Sequence, residues 1–358
     1  MARLDPSASV ASVRDVATLA GVSVGTVSNV LNHPEKVSAA VAERVNAAIE
    51  ELGYVRNEAA RQLRVGRSTS IGLIVLDVRN PFFTDVARGA EDAASEAGVS
   101  VILGNSGEDP DREANYLALF ETQRVQGVLI SPVGDIAERL RRLRSRGTPV
   151  VLVDRESADG SVSSVSVDDA AGGRLACEHL VETGRRRIAF VGGPLGIQQV
   201  SDRLRGASDA LAAHPGVSLE VIETRGLTVH EGRNAGEAIA ARPASQRPDA
   251  VFAANDLVAV GLLQALVMTG AASVPDDIAL IGFDDIDFAS AAVVPLSSVR
   301  QPRQELGEAA VRLLLDEVNN PSVATQRVIF QPELVVRDST RPPGAPSRPT
   351  GARGPESR

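Results

Sequence analysis

From about residue 69 to residue 340, short β-branched and apolar runs alternate with longer stretches whose apolar positions recur at helical spacing. Ile71–Asp77, Val99–Gly104, Gly127–Ser131, Val150–Asp154, Arg187–Val191, Leu219–Glu223, Ala250–Ala254 and Ile278–Phe283 read as strands. The stretches near 82–97, 111–124, 134–146, 169–184, 201–213, 230–242, 256–270 and 303–319 read as helices. Strand-then-helix order repeated in this way implies parallel sheets with crossover helices, because parallel neighbours need a long return connection. The number of units exceeds one comfortable open sheet. The pattern therefore predicts two doubly wound parallel-sheet α/β lobes dividing near residue 165. Such lobes collect their ligand outside the carboxyl ends of the strands.

Residues 13–55 follow a different pattern, helical and rich in small side chains, with no strand signal. Arg14–Ala20 is one short helix, Gly21-Val22-Ser23 a turn, and Val24–Leu31 a second helix that Ser23 is suited to cap. A third, near Ala39–Leu52, ends at Gly53. Ala17 is small where two helices cross, Gly21 sits at the turn, and Val27 packs beyond it, which is the spacing of a helix-turn-helix. The second helix then presents Ser23, Val24, Gly25, Thr26, Ser28, Asn29 and Asn32. Glycine is costly inside a helix, and Gly25 makes sense where a backbone must approach DNA closely. Asn29 can pair bidentately with adenine, and Val24 can touch a thymine methyl.

Composition sharpens this division. Of 358 residues, 43% are hydrophobic and 23% charged, ordinary for a globular chain. The net charge of −9 argues against nucleic acid only if it is averaged over the whole chain. Residues 1–67 carry eight basic and seven acidic side chains, and the remainder 29 and 39. No apolar stretch suggests a membrane span, and the first residues do not read as a secretory signal, so the expected location is the cytoplasm. One cysteine, Cys177, excludes an internal disulfide, and His33, His179, His214 and His230 form no metal-spaced pair, so neither a metal nor another cofactor is expected. An enzyme is not expected either. No P-loop is present, and Gly192-Gly193-Pro194-Leu195-Gly196 lacks dinucleotide-binding spacing.

The headpiece pattern Val13-Arg14-Asp15-Val16-Ala17, Val22-Ser23, Thr26-Val27-Ser28, Leu31-Asn32 and Lys36-Val37-Ser38 continues into Glu51–Asn57 and Ala59–Leu63. It resembles the LacI/GalR family of bacterial transcriptional regulators, and the resemblance covers nearly all of residues 13–340. It implies a periplasmic-binding-protein-like core and a homodimer reading pseudo-palindromic double-stranded operator DNA. A repressor of carbohydrate-utilisation genes, released or modulated by a small sugar between the lobes, is the implied function. The resemblance extends the DNA-contacting set to Tyr54, Asn57, Ala60, Leu63 and Arg64. In the family the segment matching Asn57–Val65 is a hinge helix formed on the operator, with the leucine at the Leu63 position pushed into the minor groove. Physics agrees: so short a helix is marginal in water, and a leucine wedge unstacks a base step. Many members carry arginine at the Asn29 position, so base preference there does not transfer.

The expected layout is a disordered 1–11, a DNA-binding domain at 12–56 and a hinge at 57–67. The core at 68–340 has lobe 1 at about 69–166 and 300–330 and lobe 2 at about 167–299 and 331–340; a disordered, proline-rich tail fills 341–358. That tail has no leucine heptads, which favours a dimer over a tetramer.

For the ligand, Asp77–Phe83 follows the first strand and opens a helix that Asn80 can cap. Phe82 and Phe83 are adjacent in a chain with eight Phe and two Tyr, and are not expected both to face one core; one should line the cleft. Asp154 and Arg155, Arg203, Asn255 and Asp284 also stand at strand ends or helix starts. The resemblance gives Asp154, Arg203, Asn255 and Asp284 hydrogen bonds to sugar hydroxyls or purine edges, where a carboxylate or arginine can form two bonds at fixed geometry. Leu227 stands where several members place an aromatic. The rival reading is a sugar-binding solute protein with no DNA function.

Overall fold

The computed structural model describes residues 11–54, 68–134, 136–157 and 159–340. The expected contacts at Asn57, Ala60, Leu63 and Arg64 lie outside those residues, as do the tail and most of the first eleven. The described chain forms two compact units, one within Met1–Arg67 and one within Ser68–Arg358. Among the described residues no helix is long and apolar enough to cross a membrane.

In the first unit, α1 (Val13–Ala20), α2 (Val24–Asn32) and α3 (Ala39–Leu52) enclose Val16, Ala17, Ala20, Val27, Val30, Val45 and Ala48. No side chain larger than valine lies at the centre of this bundle, so its edges matter. Ser12 and Asp15 form a reciprocal capping box: the Ser12 backbone N–H donates to Asp15 Oδ2 at 2.8 Å, and Ser12 Oγ accepts from the Asp15 N–H at 3.4 Å. Gly21 closes α1 at φ 63°, a left-handed conformation that glycine takes without strain. Ser23 Oγ then accepts from the Thr26 N–H at 3.1 Å and starts α2.

The second unit contains two six-stranded sheets. One has β1 (Ser70–Val75) between β2 (Ser100–Asn105) and β3 (Val128–Ile130), followed outward by β4 (Val150–Val153), β5 (Ser163–Val167) and β11 (Arg327–Phe330), all parallel. The other repeats the plan, with β6 (Arg187–Val191) between β7 (Ser218–Ile222) and β8 (Ala250–Ala253). Beyond β8 come β9 (Ala279–Asp284), β10 (Ser297–Arg300) and an antiparallel β12 (Glu333–Val335). Each sheet reverses its order beside its first strand, the position where doubly wound folds open a crevice.

Alternation decides which helices cover which face. Ile71, Leu73 and Val75 point into a cluster with α4 (Pro81–Glu96) and α12 (Arg303–Asn319). Ile74 points the other way, toward α5 (Pro110–Gln123) and α6 (Ala137–Ser145). In lobe 2, Val191 and Val251 face α9 (Val229–Ala240) and α10 (Asp256–Thr269), while Phe190 and Phe252 face α7 (Asp169–Glu182) and α8 (Gln198–Ala212). A short α11 (Asp287–Ala291) follows β9.

The sequence pattern missed β5, β10, β11 and β12. Their segments read Ser-Ser-Val-Ser-Val, Ser-Ser-Val-Arg, Arg-Val-Ile-Phe and Glu-Leu-Val. Two are serine-rich yet buried. Ser163 Oγ donates to Glu317 Oε1 at 2.5 Å and Ser298 Oγ to Asp256 Oδ1 at 2.7 Å, so hydroxyls occupy positions where hydrophobic periodicity expects carbon. With β11 and β12 placed, the chain crosses between the sheets after β5, after β10 and after β11.

Candidate functional site

On the headpiece, Ser23, Val24, Gly25 and Asn29 are exposed on α2, while Thr26, Ser28 and Asn32 are half-buried. Asn32 is committed along the helix, its Nδ2 donating to the Ser28 carbonyl at 2.6 Å. Ser23 and Thr26 share a hydroxyl contact of 2.9 Å. Tyr54 is half-buried and packs against the headpiece core. A Cβ built on Gly25 would meet only Ser23 Oγ, at 3.6 Å. Among the described residues of the headpiece, none requires a glycine there.

In the second unit, strand ends from both lobes converge on one cavity of about 460 Å³, its mouth included. Lobe 1 contributes Asn80, Phe82, Phe83 and Asp154, and lobe 2 contributes Arg203, Leu227, Asn255 and Asp284. Asn80 caps α4 through Oδ1, 3.0 Å from the Phe82 N–H, and its Nδ2 donates across the cleft to Asp284 Oδ2 at 3.2 Å. Asp284 Oδ1 accepts from Gln301 Nε2 at 2.8 Å. Asn255 caps α10 and donates to the Leu227 carbonyl at 3.2 Å, which commits its oxygen and one N–H.

Arg203 is the centre of the charge. Close packing of α7 on α8 holds it there, because a Cβ on Gly206 would stand 1.9 Å from the Ala170 carbonyl oxygen and one on Gly173 2.1 Å from that of Arg203. Arg203 Nε donates to Asp169 Oδ1 at 2.7 Å and one terminal nitrogen to the Ala254 carbonyl at 2.8 Å, with Asp284 Oδ1 at 3.9 Å. Its guanidinium carbon lies 3.7 Å from the Phe283 ring centroid. Burial opposes the charge on Arg203, but Asp169, Asp284 and Asp154 hold its pKa above the ordinary value. Burial pushes Asp169 up to about 6 despite Arg203, and raises Asp284 against the pull of Arg203, Asn80 and Gln301. Burial, reinforced by the negative charge of Asp169, raises Asp154 well above the carboxylate range.

Asp154 and Asp284 also have left-handed backbones, at φ 58° and 106°. Such strain in non-glycine residues gathers where the surroundings over-determine a loop. Asp154 Oδ2 accepts from Gln199 at 2.9 Å, while its buried Oδ1 has no hydrogen-bond partner among the described residues.

Two expectations are corrected. Phe82 and Phe83 do share one hydrophobic cluster, because they meet edge to face with centroids 4.9 Å apart at 78°; both also border the cavity. Arg155 does not line that cavity: the left-handed turn at Asp154 sends it toward the Gly134 carbonyl, to which it donates. Sequence reasoning missed Asp77, Glu108 and Gln199 in the wall and Asp169 behind it. The strand-end rule, applied after β2, leads to Glu108. Gln199 had no comparable signal.

The comparisons with known proteins cover both units. A family profile described as bacterial regulatory proteins, lacI family, matches residues 12–57, and one described as a periplasmic binding protein-like domain matches 177–340. The ribose operon repressor of Escherichia coli strain K12 is 35% identical over 337 residues, spanning 92% of this chain and 99% of that protein. The chain belongs to the LacI family. Among solved structures of similar proteins, the transcriptional regulator CelR–cellobiose complex has TM-score 0.67 at 35% identity, covering 92% of this chain and 99% of that one. The lac repressor dimer bound to operator and the anti-inducer ONPF has TM-score 0.80 at 28% identity, covering 93% and 100%. The protein is therefore a LacI-family DNA-binding transcriptional regulator, and the solute-protein reading falls, because the relatedness runs through headpiece and core together.

Proposed function

We propose that this regulator represses carbohydrate-utilisation genes in the cytoplasm, as a homodimer on pseudo-palindromic operator DNA, and that a small neutral sugar bound between its lobes releases or modulates it without catalysis. The observation that carries the effector half is the buried Asp154–Asp169–Arg203–Asp284 constellation beside two phenylalanines that meet edge to face, with an Asp154 oxygen that has no partner among the described residues. Fixed acceptors and a guanidinium suit vicinal hydroxyls, and the aromatic edge suits a ring's apolar face. Asn80, Phe82, Phe83, Asp154, Arg203, Asn255 and Asp284 make up this site. Ser23, Val24, Gly25, Thr26, Ser28, Asn29, Asn32 and Tyr54 serve the operator, joined on sequence grounds by Asn57, Ala60, Leu63 and Arg64. Relatives named for a ribose operon and solved with cellobiose support the sugar class.

Sugar binding biases one arrangement of the lobes over another, and the operator affinity changes by that differential, typically about 1–3 kcal/mol. Fluorescence anisotropy at fixed salt, with duplex DNA from upstream of the protein's own gene and a panel of sugars, tests both halves. Tight binding released by one sugar is the expected result. Tight binding indifferent to every sugar removes the effector half, and absence of sequence-preferring binding removes the operator half.

A further inference from the structure

One side-chain pair separates two chambers in the cleft. Gln199, on the first turn of α8 in lobe 2, donates from Nε2 to the Asp154 carbonyl at 2.6 Å and to Asp154 Oδ2 at 2.9 Å, at the end of β4 in lobe 1. Both residues are buried. On one side of them lies the cavity of Phe82 and Arg203; on the other lies a polar crevice bounded by Ser166, Asp168, Asp202 and Arg205. Asp154 and Gln199 form a wall of both. The crevice has its own acceptor, since the buried Ser166 Oγ has no hydrogen-bond partner among the described residues.

The first chamber is also rich in carboxyl groups. Asp77, Glu108, Asp154 and Asp284 face it; Arg203 is the one cation among the described residues that line it, and Asp169 and the Ala254 carbonyl already engage it. A phosphorylated or carboxylated ligand would bring a further anion into a buried chamber in which no second cation stands among the described residues. A ligand longer than one ring meets the Gln199 amide. Displacing that amide breaks both of its bonds to Asp154 and leaves a buried carbonyl and carboxylate oxygen to be satisfied again.

Resting on the sugar-effector reading above, we propose that Gln199 is a partition that confines the effector to a single neutral sugar ring, and that removing its side chain joins the two chambers into a site for a disaccharide. The partition works by bulk and by its bridge together. Truncation removes both, whereas methionine keeps the bulk and loses the bridge.

The test uses the full chain, with calorimetric binding of ribose, glucose, cellobiose, maltose and ribose 5-phosphate to wild type, Gln199→Ala and Gln199→Met, beside operator anisotropy for each. Wild type is expected to bind one monosaccharide at least tenfold more tightly than either disaccharide, and more tightly than ribose 5-phosphate. Gln199→Ala is expected to shift the disaccharide-to-monosaccharide affinity ratio at least tenfold toward the disaccharide, and Gln199→Met to keep the wild-type ratio while binding more weakly. A wild type that prefers a disaccharide or the phosphate overturns the proposal even if Gln199→Ala does not fold, and so does an unchanged ratio in a folded Gln199→Ala. Operator binding with no uptake of any of these sugars takes down the sugar reading itself, and the partition with it.

Discussion

Two glycines on helices, one in each unit, show how differently the two parts of this protein are specified. At Gly206 an added Cβ would collide with the Ala170 carbonyl at 1.9 Å, so the residue is dictated from inside, by the crossing of α7 and α8 that places Arg203. At Gly25 the same atom would meet only Ser23 Oγ at 3.6 Å, and the helix carries a poor helix former that none of the described headpiece residues demands. The helix crossing explains Gly206. The exposed face of α2 is explained only by something that comes to it.

The sharpest way to break the comparison is to remove the charge at the centre of the core. Arg203→Ala leaves Asp169 and Asp284 buried without their cation, and the core should lose about 3–5 kcal/mol of stability together with its sugar response. Urea unfolding, with hydrogen exchange to localise the loss, should show α7 and α8 opening while α1–α3 keep their protection. Loss of protection in the headpiece as well would mean that the two units are not independently specified.

Acid dependence should have opposite signs at Asp169 in the core and Asp15 in the headpiece. Burial raises Asp169 from 3.8 to about 6, so its contribution is whole below the unfolded value. It then falls as pH rises toward 6, where the unfolded chain is ionised and the folded one still holds the proton. Asp15 in the headpiece runs the opposite way, because hydrogen bonds from Ser12 lower its pKa; its contribution is present above 3.8 and is lost as pH drops through the lowered folded value. Unfolding midpoints of Asp169→Asn between pH 4 and 7 should fall less steeply than those of wild type, because Asp154 and Asp284 are raised by burial as well. An identical slope in both would place the titration elsewhere.

Gly206→Ala should cost the core about 1–3 kcal/mol, since a backbone carbonyl cannot turn aside as a flexible side chain can. Gly25→Ala should instead stabilise the headpiece, by about 0.5–1 kcal/mol, while weakening operator binding. Thermal melts and anisotropy on the same variant check both effects. A variant that is more stable and binds the operator as well as wild type would leave Gly25 without a function.

What could be read from the sequence follows the same division. The headpiece was legible because the constraints that mark it are local: Gly21 at the turn, Ser23 capping α2, Val27 packed beneath. In the core, Val-rich strands such as β4 were plain, whereas β5 was hidden. Its serines are buried, and one of them is satisfied by Glu317, 154 residues further along the chain. The site divides likewise. Asp154 and Asp284 end strands and were visible. Gln199 reaches Asp154 across 45 residues and from the other lobe, a relation no local spacing encodes.

The three crossings between the sheets constrain how the protein is made. The first sheet begins at Ser70, yet it receives its outer strand only with Arg327–Phe330, and α12, which covers its helical layer, spans Arg303–Asn319. The second sheet waits for Glu333–Val335. A ribosome that has translated all but the last stretch of the core has therefore finished neither lobe, and the side of α4 that packs against α12 stays uncovered until that stretch emerges. The two lobes are completed almost together, within a few residues of each other, so that a messenger truncated after β10 yields two unfinished halves and no working one.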